Sequence, residues 1–176
     1  MFIKGNIMKT LRVVQLKPNP IGKDRDRFGA PSPAQLGAEW VDFKNTGAVA
    51  VDLQNVRLYH VAYAPGELYG HWEEIMSFQG SLPRGQVVRV HSGQTRDISV
   101  LRREDLLGAD YHLFTGRDAY AWNNQKGDTA ALSDGSVSNL IDRASYDPKP
   151  PEGVVLVRIG EKLVPAVAPA RALSFR

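Results

Sequence analysis

Four histidines, His60, His71, His91 and His112, are the side chains best suited to bind a metal or move a proton near neutral pH. None stands in an H-x-x-x-H spacing. The chain has no cysteine, so disulfides, thiolate catalysis, iron–sulfur clusters and cysteine-based zinc sites are excluded. His91-Ser92 sets a base beside a hydroxyl, but neighbours in an extended segment point to opposite faces, and no G-x-S-x-G elbow is present. Carboxylates occur at Asp24, Asp26, Glu73, Glu74, Glu104, Asp105, Asp128, Asp134 and Asp142. General acid–base work needs two of them converging on a cleft, whereas sequence neighbours in a strand diverge. They read as solvated faces, with Asp128 and Asp134 as turn residues. The Asp24–Asp26 loop offers at most a weak cation contact, since it lacks EF-hand spacing. The glycines form neither a P-loop nor a dinucleotide fingerprint. The residues therefore imply no catalytic set, no metal ligands and no cofactor.

Binding is the remaining chemistry. Arg84, Arg89, Arg96, Arg102, Arg103, Arg117, Lys126 and Arg143 lie in or near strands and turns, with Tyr111, Tyr120 and Trp122 interleaved. Such a mixture can hold phosphates and stack bases. The net charge of +3 and pI near 9.2 lack the focused excess of a dedicated nucleic-acid binder, and core or edge packing is the better reading of the aromatics. The residues singled out for binding are Arg89, Arg102, Arg103, Arg117, Tyr120, Trp122 and Lys126. Trp122 precedes Asn123-Asn124 and the Gly127-Asp128 turn. It is either an exposed contact or a plug between two sheets, and the need for large side chains between sheets favours the plug.

The elements that position these residues read as strands. With 176 residues and 43% hydrophobic composition, the chain is one domain with an appendage. Leu11–Leu16 is a first strand, stopped by Pro18-Asn19-Pro20. Gly22 to Gln35 is polar, with signs alternating along Lys23-Asp24-Arg25-Asp26-Arg27, and reads as a loop. Glu39–Lys44 alternates so that Val41 and Phe43 face a core while Asp42 and Lys44 face water. Further strand signals are Val51–Leu53, Val56–Val61, Glu73–Phe78, Val87–His91, Tyr111–Phe114, Thr129–Leu132 and Asn139–Tyr146. One brief helix is expected near Arg102–Leu107. With no βαβ rhythm, a parallel sheet is disfavoured. Pro148–Pro151 marks a boundary, after which Val154–Ile159 and Leu163–Val167 flank Gly160-Glu161-Lys162 as a possible hairpin, and the Ala168–Arg171 region looks loose. Residues Met1 to Lys9 contain no apolar run of signal-peptide length, and no segment reaches membrane-span length. A cytoplasmic location is expected, with Met8 as an alternative start.

The order of these segments resembles the bacterial lamin-tail domain family. Glu39–Gly47 is similar to that family's opening strand and turn, Val51-Asp52-Leu53 to its D-L segment, and Leu82–Gly93 to its leucine–proline–glycine turn and valine-rich strand. Tyr111–Phe114, Trp122-Asn123-Asn124, Gly127–Leu132, Asp134-Gly135 and Leu140–Tyr146 resemble its signature end. Where the family usually has a tryptophan after the D-L segment, this chain has Asn55-Val56. The resemblance implies an all-β, immunoglobulin-like β-sandwich over residues 10–147, with a Pro-rich linker and C-terminal extension over 148–176. It implies no catalytic residues and a role as a binding or scaffold module for a protein partner. The alternative is a DNA-associated protein with weak, non-specific binding. No membrane association is expected, and open strand edges offer a route to homo-oligomers.

Overall fold

The computed structural model describes residues 10–166; Met8 and the Ala168–Arg171 region lie outside the described residues. Among the described residues twelve strands dominate: β1 (Leu11–Lys17), β2 (Trp40–Asn45), β3 (Val51–Asp52), β4 (Val56–Ala62), β5 (His71–Ser77), β6 (Ser81–Leu82), β7 (Val87–His91), β8 (Tyr111–Phe114), β9 (Asp128–Asp134), β10 (Leu140–Tyr146), β11 (Leu156–Ile159) and β12 (Lys162–Pro165). The fold is all-β. Ten strands form one sheet in the order β5-β4-β9-β10-β12-β11-β1-β2-β7-β8, and β3 pairs with β6 separately.

The large sheet curls on itself because its apolar stripe must be buried. Val13, Val41, Phe43, Val88 and Val90 from one half share a single core with Val56, Leu58, Ile75, Leu132, Ala144 and Tyr146 from the other. Phe43 meets Phe78 edge-on at 5.0 Å between ring centroids. The hairpin β11–β12 stands between the halves. Leu156 pairs with Leu16 of β1, and Lys162 pairs with Ser145 of β10. Arg158 on β11 donates to both oxygens of Asp142 on β10 (2.8 and 3.1 Å) and to the Val13 carbonyl, while Asp142 accepts the Val13 N–H at 2.8 Å. These bonds serve the β1 backbone where a bulge between Val13 and Gln15 interrupts its register with β2.

Several expectations need correction. The segment ending at Gln35 is not loop throughout, since α1 spans Pro33–Ala38. Pro33 fits the first helical position, where its missing N–H has no intrahelical use. The short helix α2 covers Arg103–Leu106, and a 3-10 helix, Thr95–Val100, precedes it. β7 and β8 pair in parallel, joined by the 92–110 crossover, and β10 and β12 also meet in parallel. The crossover's helices are too short to show a 3.6-residue period, so no βαβ rhythm is visible. Asp42 does not face water: it is buried, because the crossover covers the outer face of β2 and β7. Among the described residues no helix is long and apolar enough to cross a membrane.

Candidate functional site

Strand register places one set of loops together. Lys17 pairs with Trp40, Trp40 with His91 and His91 with Phe114, so the C-termini of β1, β7 and β8 lie at one end of the sheet. Ala62 pairs with His71 and Tyr146 with Asp128 in the other half. Loops 18–32, 63–70, 115–127 and 147–155 leave this shared end. Hydrogen bonds join them: Tyr120 Oη donates to the Asp24 carbonyl at 2.7 Å, Asn124 Nδ2 to the Pro18 carbonyl at 3.1 Å, and Asn19 Nδ2 to the Pro150 carbonyl at 2.9 Å. Lys126 Nζ sits 4.0 Å above the Tyr63 ring and donates to the Glu67 carbonyl at 3.4 Å.

Two buried carboxylates hold the 115–127 loop from beneath. Glu39 accepts Ser92 Oγ at 2.5 Å, the Ala121 N–H at 2.8 Å and the Trp122 N–H at 3.4 Å. Its complete burial pushes the carboxyl pKa up to about 8, even though these donors pull the other way. Asp128 accepts the backbone N–H groups of Val61 (2.8 Å), Thr129 (2.7 Å) and Asn123 (3.1 Å), and lies 3.1 Å from His60 Nδ1. It is a strand-starting residue that bonds across β4 and β9, not only the turn residue its context suggests. Gly127 beside it has φ of 73°, and a Cβ there would lie 2.4 Å from the Tyr146 carbonyl, so this turn requires glycine.

Above this layer the loops present apolar tips to solvent. Phe28 is 80% exposed, and Leu68 and Tyr69 are 87% exposed. Arg27 stacks on the Phe28 ring at 4.7 Å. Asp26 Oδ1 accepts the N–H groups of Phe28 and Ala30, so this carboxylate of the Asp24–Asp26 loop serves its own backbone. Charges on the four loops are interleaved and balanced. Lys23, Arg25, Arg27, Arg117, Lys126 and Lys149 are matched in number by Asp24, Asp26, Glu67, Asp118, Asp147 and Glu152.

The residues singled out from sequence divide among three places. Arg117, Tyr120, Trp122 and Lys126 belong to this end. Arg117 bonds the Glu73 carboxylate at 2.8 Å and the Glu74 carbonyl at 2.7 Å. Trp122 is 5% exposed and packs in the core, with its ring edge-on to His60, which excludes it as a surface contact. Arg102 and Arg103 are exposed at α2, where Arg102 lies 3.7 Å from Glu104. Arg89 is 2% exposed and therefore cannot meet a partner. It donates to both oxygens of Asp42 and to the carbonyls of Asp105 and Leu107, and its guanidinium lies 3.5 Å from the Trp40 ring centroid.

The reading of the carboxylates as solvated also fails at Asp105. It is buried, with Oδ1 accepting Lys17 Nζ at 2.6 Å and Trp40 Nε1 at 2.9 Å. His91 and Ser92 do point apart. His91 bonds the Gly37 carbonyl and His112, while Ser92 bonds Glu39. Burial lowers the His91 pKa to about 4, and it lowers that of His112 as well. The perturbed groups Glu39 and His91 are closed off from solvent, so their chemistry is to hold the frame.

Phe28, Leu68 and Tyr69 were not found from sequence. Their signals are present in hindsight: a lone phenylalanine in a polar loop, and an apolar pair between Gly66 and Gly70. A comparison with models of known protein families finds no match, and a comparison with curated proteins finds none.

Proposed function

We propose that this chain is a non-enzymatic interaction module, an immunoglobulin-like β-sandwich of the lamin-tail type that docks a partner protein with its loop end. The observation that carries this reading is the exposure of Phe28, Leu68 and Tyr69 on loops 18–32 and 63–70, which Tyr120 and Lys126 tie to the 115–127 loop that Glu39 and Asp128 hold. Large apolar side chains cost solubility when left in water, and rigid aromatic anchors dominate binding energy at interfaces. Loops carried on a fixed scaffold are also where binding residues concentrate. The balanced charge of these loops favours protein over DNA, since nucleic-acid affinity comes mainly from neutralised phosphates.

The test is a triple variant, Phe28→Ser with Leu68→Ser and Tyr69→Ser, compared with the parent by quantitative affinity capture from the native host. The variant should melt at the parent temperature and lose a partner that the parent retains. An identical set of captured proteins would overturn the assignment to this end. A gel shift at two salt concentrations addresses DNA, and the expected result is weak binding that falls steeply with salt.

A further inference from the structure

A second surface lies on the outer face of the β5-β4-β9-β10 half, one residue in from the strand ends that carry the 63–70 and 115–127 loops. Trp72 pairs with Val61, and Thr129 pairs with Ser145. The β4–β9 register, with Tyr59 opposite Ala131, sets Val61 beside Thr129. One row therefore runs Trp72, Val61, Thr129, Ser145 across four strands, on the face opposite the core residues Ala130 and Ala144. Arg143 stands two residues along β10 on the same face. Glu161 comes from the turn of the β11–β12 hairpin, and its carbonyl accepts the Ser145 N–H at 3.1 Å. Trp72, Thr129, Arg143, Ser145 and Glu161 line a cleft of about 160 Å³, the room of about five water molecules in the liquid. Among the described residues no ion pair engages Arg143 or Glu161, and the two do not pair with each other.

We infer that this cleft binds a neutral pyranose ring, as a free sugar or as one unit of a glycan. Its chemistry is mixed in a specific way. Trp72 supplies an apolar surface, Arg143 only donates, Glu161 only accepts, and the two hydroxyls do both. A pyranose offers an apolar C–H face for the indole and a rim of hydroxyls, each able to donate and accept. Opposite charges within one small cleft disfavour a net anion or cation, since each meets a like charge on one wall.

The experiment is saturation-transfer NMR of the full chain with glucose, galactose, mannose, N-acetylglucosamine and their β-linked disaccharides. Glycine and tryptophan serve as zwitterionic controls. At least one sugar should bind in the millimolar range, which suits a shallow site of this size. Arg143→Ala and Glu161→Gln alter exposed side chains, so both should melt as the parent does while weakening that sugar about tenfold each. Trp72→Ala should abolish binding; if it fails to fold, the two exposed variants decide. No signal from any sugar, undiminished binding in both exposed variants, or binding of the zwitterions alone would each overturn the inference.

Discussion

Arg89 and Asp42 form a bidentate pair, with Nε and Nη2 each 2.7 Å from a carboxylate oxygen and both residues almost wholly buried. The pair lies between β2–β7 and the crossover, and Arg89 also carries the carbonyls of Asp105 and Leu107. Burial raises the Asp42 pKa, and the guanidinium opposes that rise. A residue expected to reach out to a ligand instead fastens the segment that connects two parallel strands. Breaking a buried pair leaves one charge without its partner. Arg89→Ala should therefore cost about 3–5 kcal/mol in denaturant unfolding, whereas the double replacement Arg89→Met with Asp42→Leu should recover much of it. Equal losses in the single and double variants would show that the charge pairing is not the source.

Two buried groups make stability depend on pH in opposite senses. Glu39 has a folded pKa of about 8 against 4.5 for a glutamate in water. The folded state thus holds a proton that the unfolded state releases, and this contribution is complete below pH 4.5 and is lost as pH rises through 8. His91 has a folded pKa of about 4 against 6.5 for a histidine in water. Its contribution is present above pH 6.5 and is lost as pH falls through 4. Glu39→Gln should flatten the decline on the alkaline side by on the order of a few kcal/mol. Urea titrations from about pH 4 to about pH 9 on parent and variant would measure this, and parallel curves would refute it.

Trp122 closes the core beneath the loop end. Replacing a buried large aromatic with alanine should lower stability by about 3–5 kcal/mol. A thermal melt of Trp122→Ala is the check, and a midpoint equal to that of the parent would return Trp122 to the set of surface contacts.

The β11–β12 hairpin covers edges of both β1 and β10 and brings Leu156 and Leu163 into the core. A chain ended at Asp147 would expose two strand edges and the partners of those leucines. Such a chain should lose solubility or associate, as read by light scattering, and should melt earlier. Unchanged mass and midpoint would show the hairpin to be dispensable.

The local features were legible in the residues themselves. Alternation in Glu39–Lys44 and Val87–His91 locates strands, because the side-chain period of a strand is a property of the chain alone. The break at Pro18–Pro20 is legible for the same reason, since turn conformations depend on individual residue types. What tertiary structure decided was which faces are covered. Alternation separates Asp42 from Val41 and Phe43, but it cannot say whether a second layer lies over Asp42. That depends on a crossover far along the chain, whose Asp105 and Leu107 carbonyls meet Arg89. Strand order is equally non-local: nothing near Leu11 or Tyr146 states that the hairpin at 156–165 will stand between β1 and β10. The same holds for the meeting of Phe28, Leu68 and Tyr120 at one end, and of Trp72, Arg143 and Glu161 in one cleft. Pairing in a sheet joins segments far apart in the chain, so burial and proximity are properties of the closed fold, while the strands that make it are properties of short stretches of sequence.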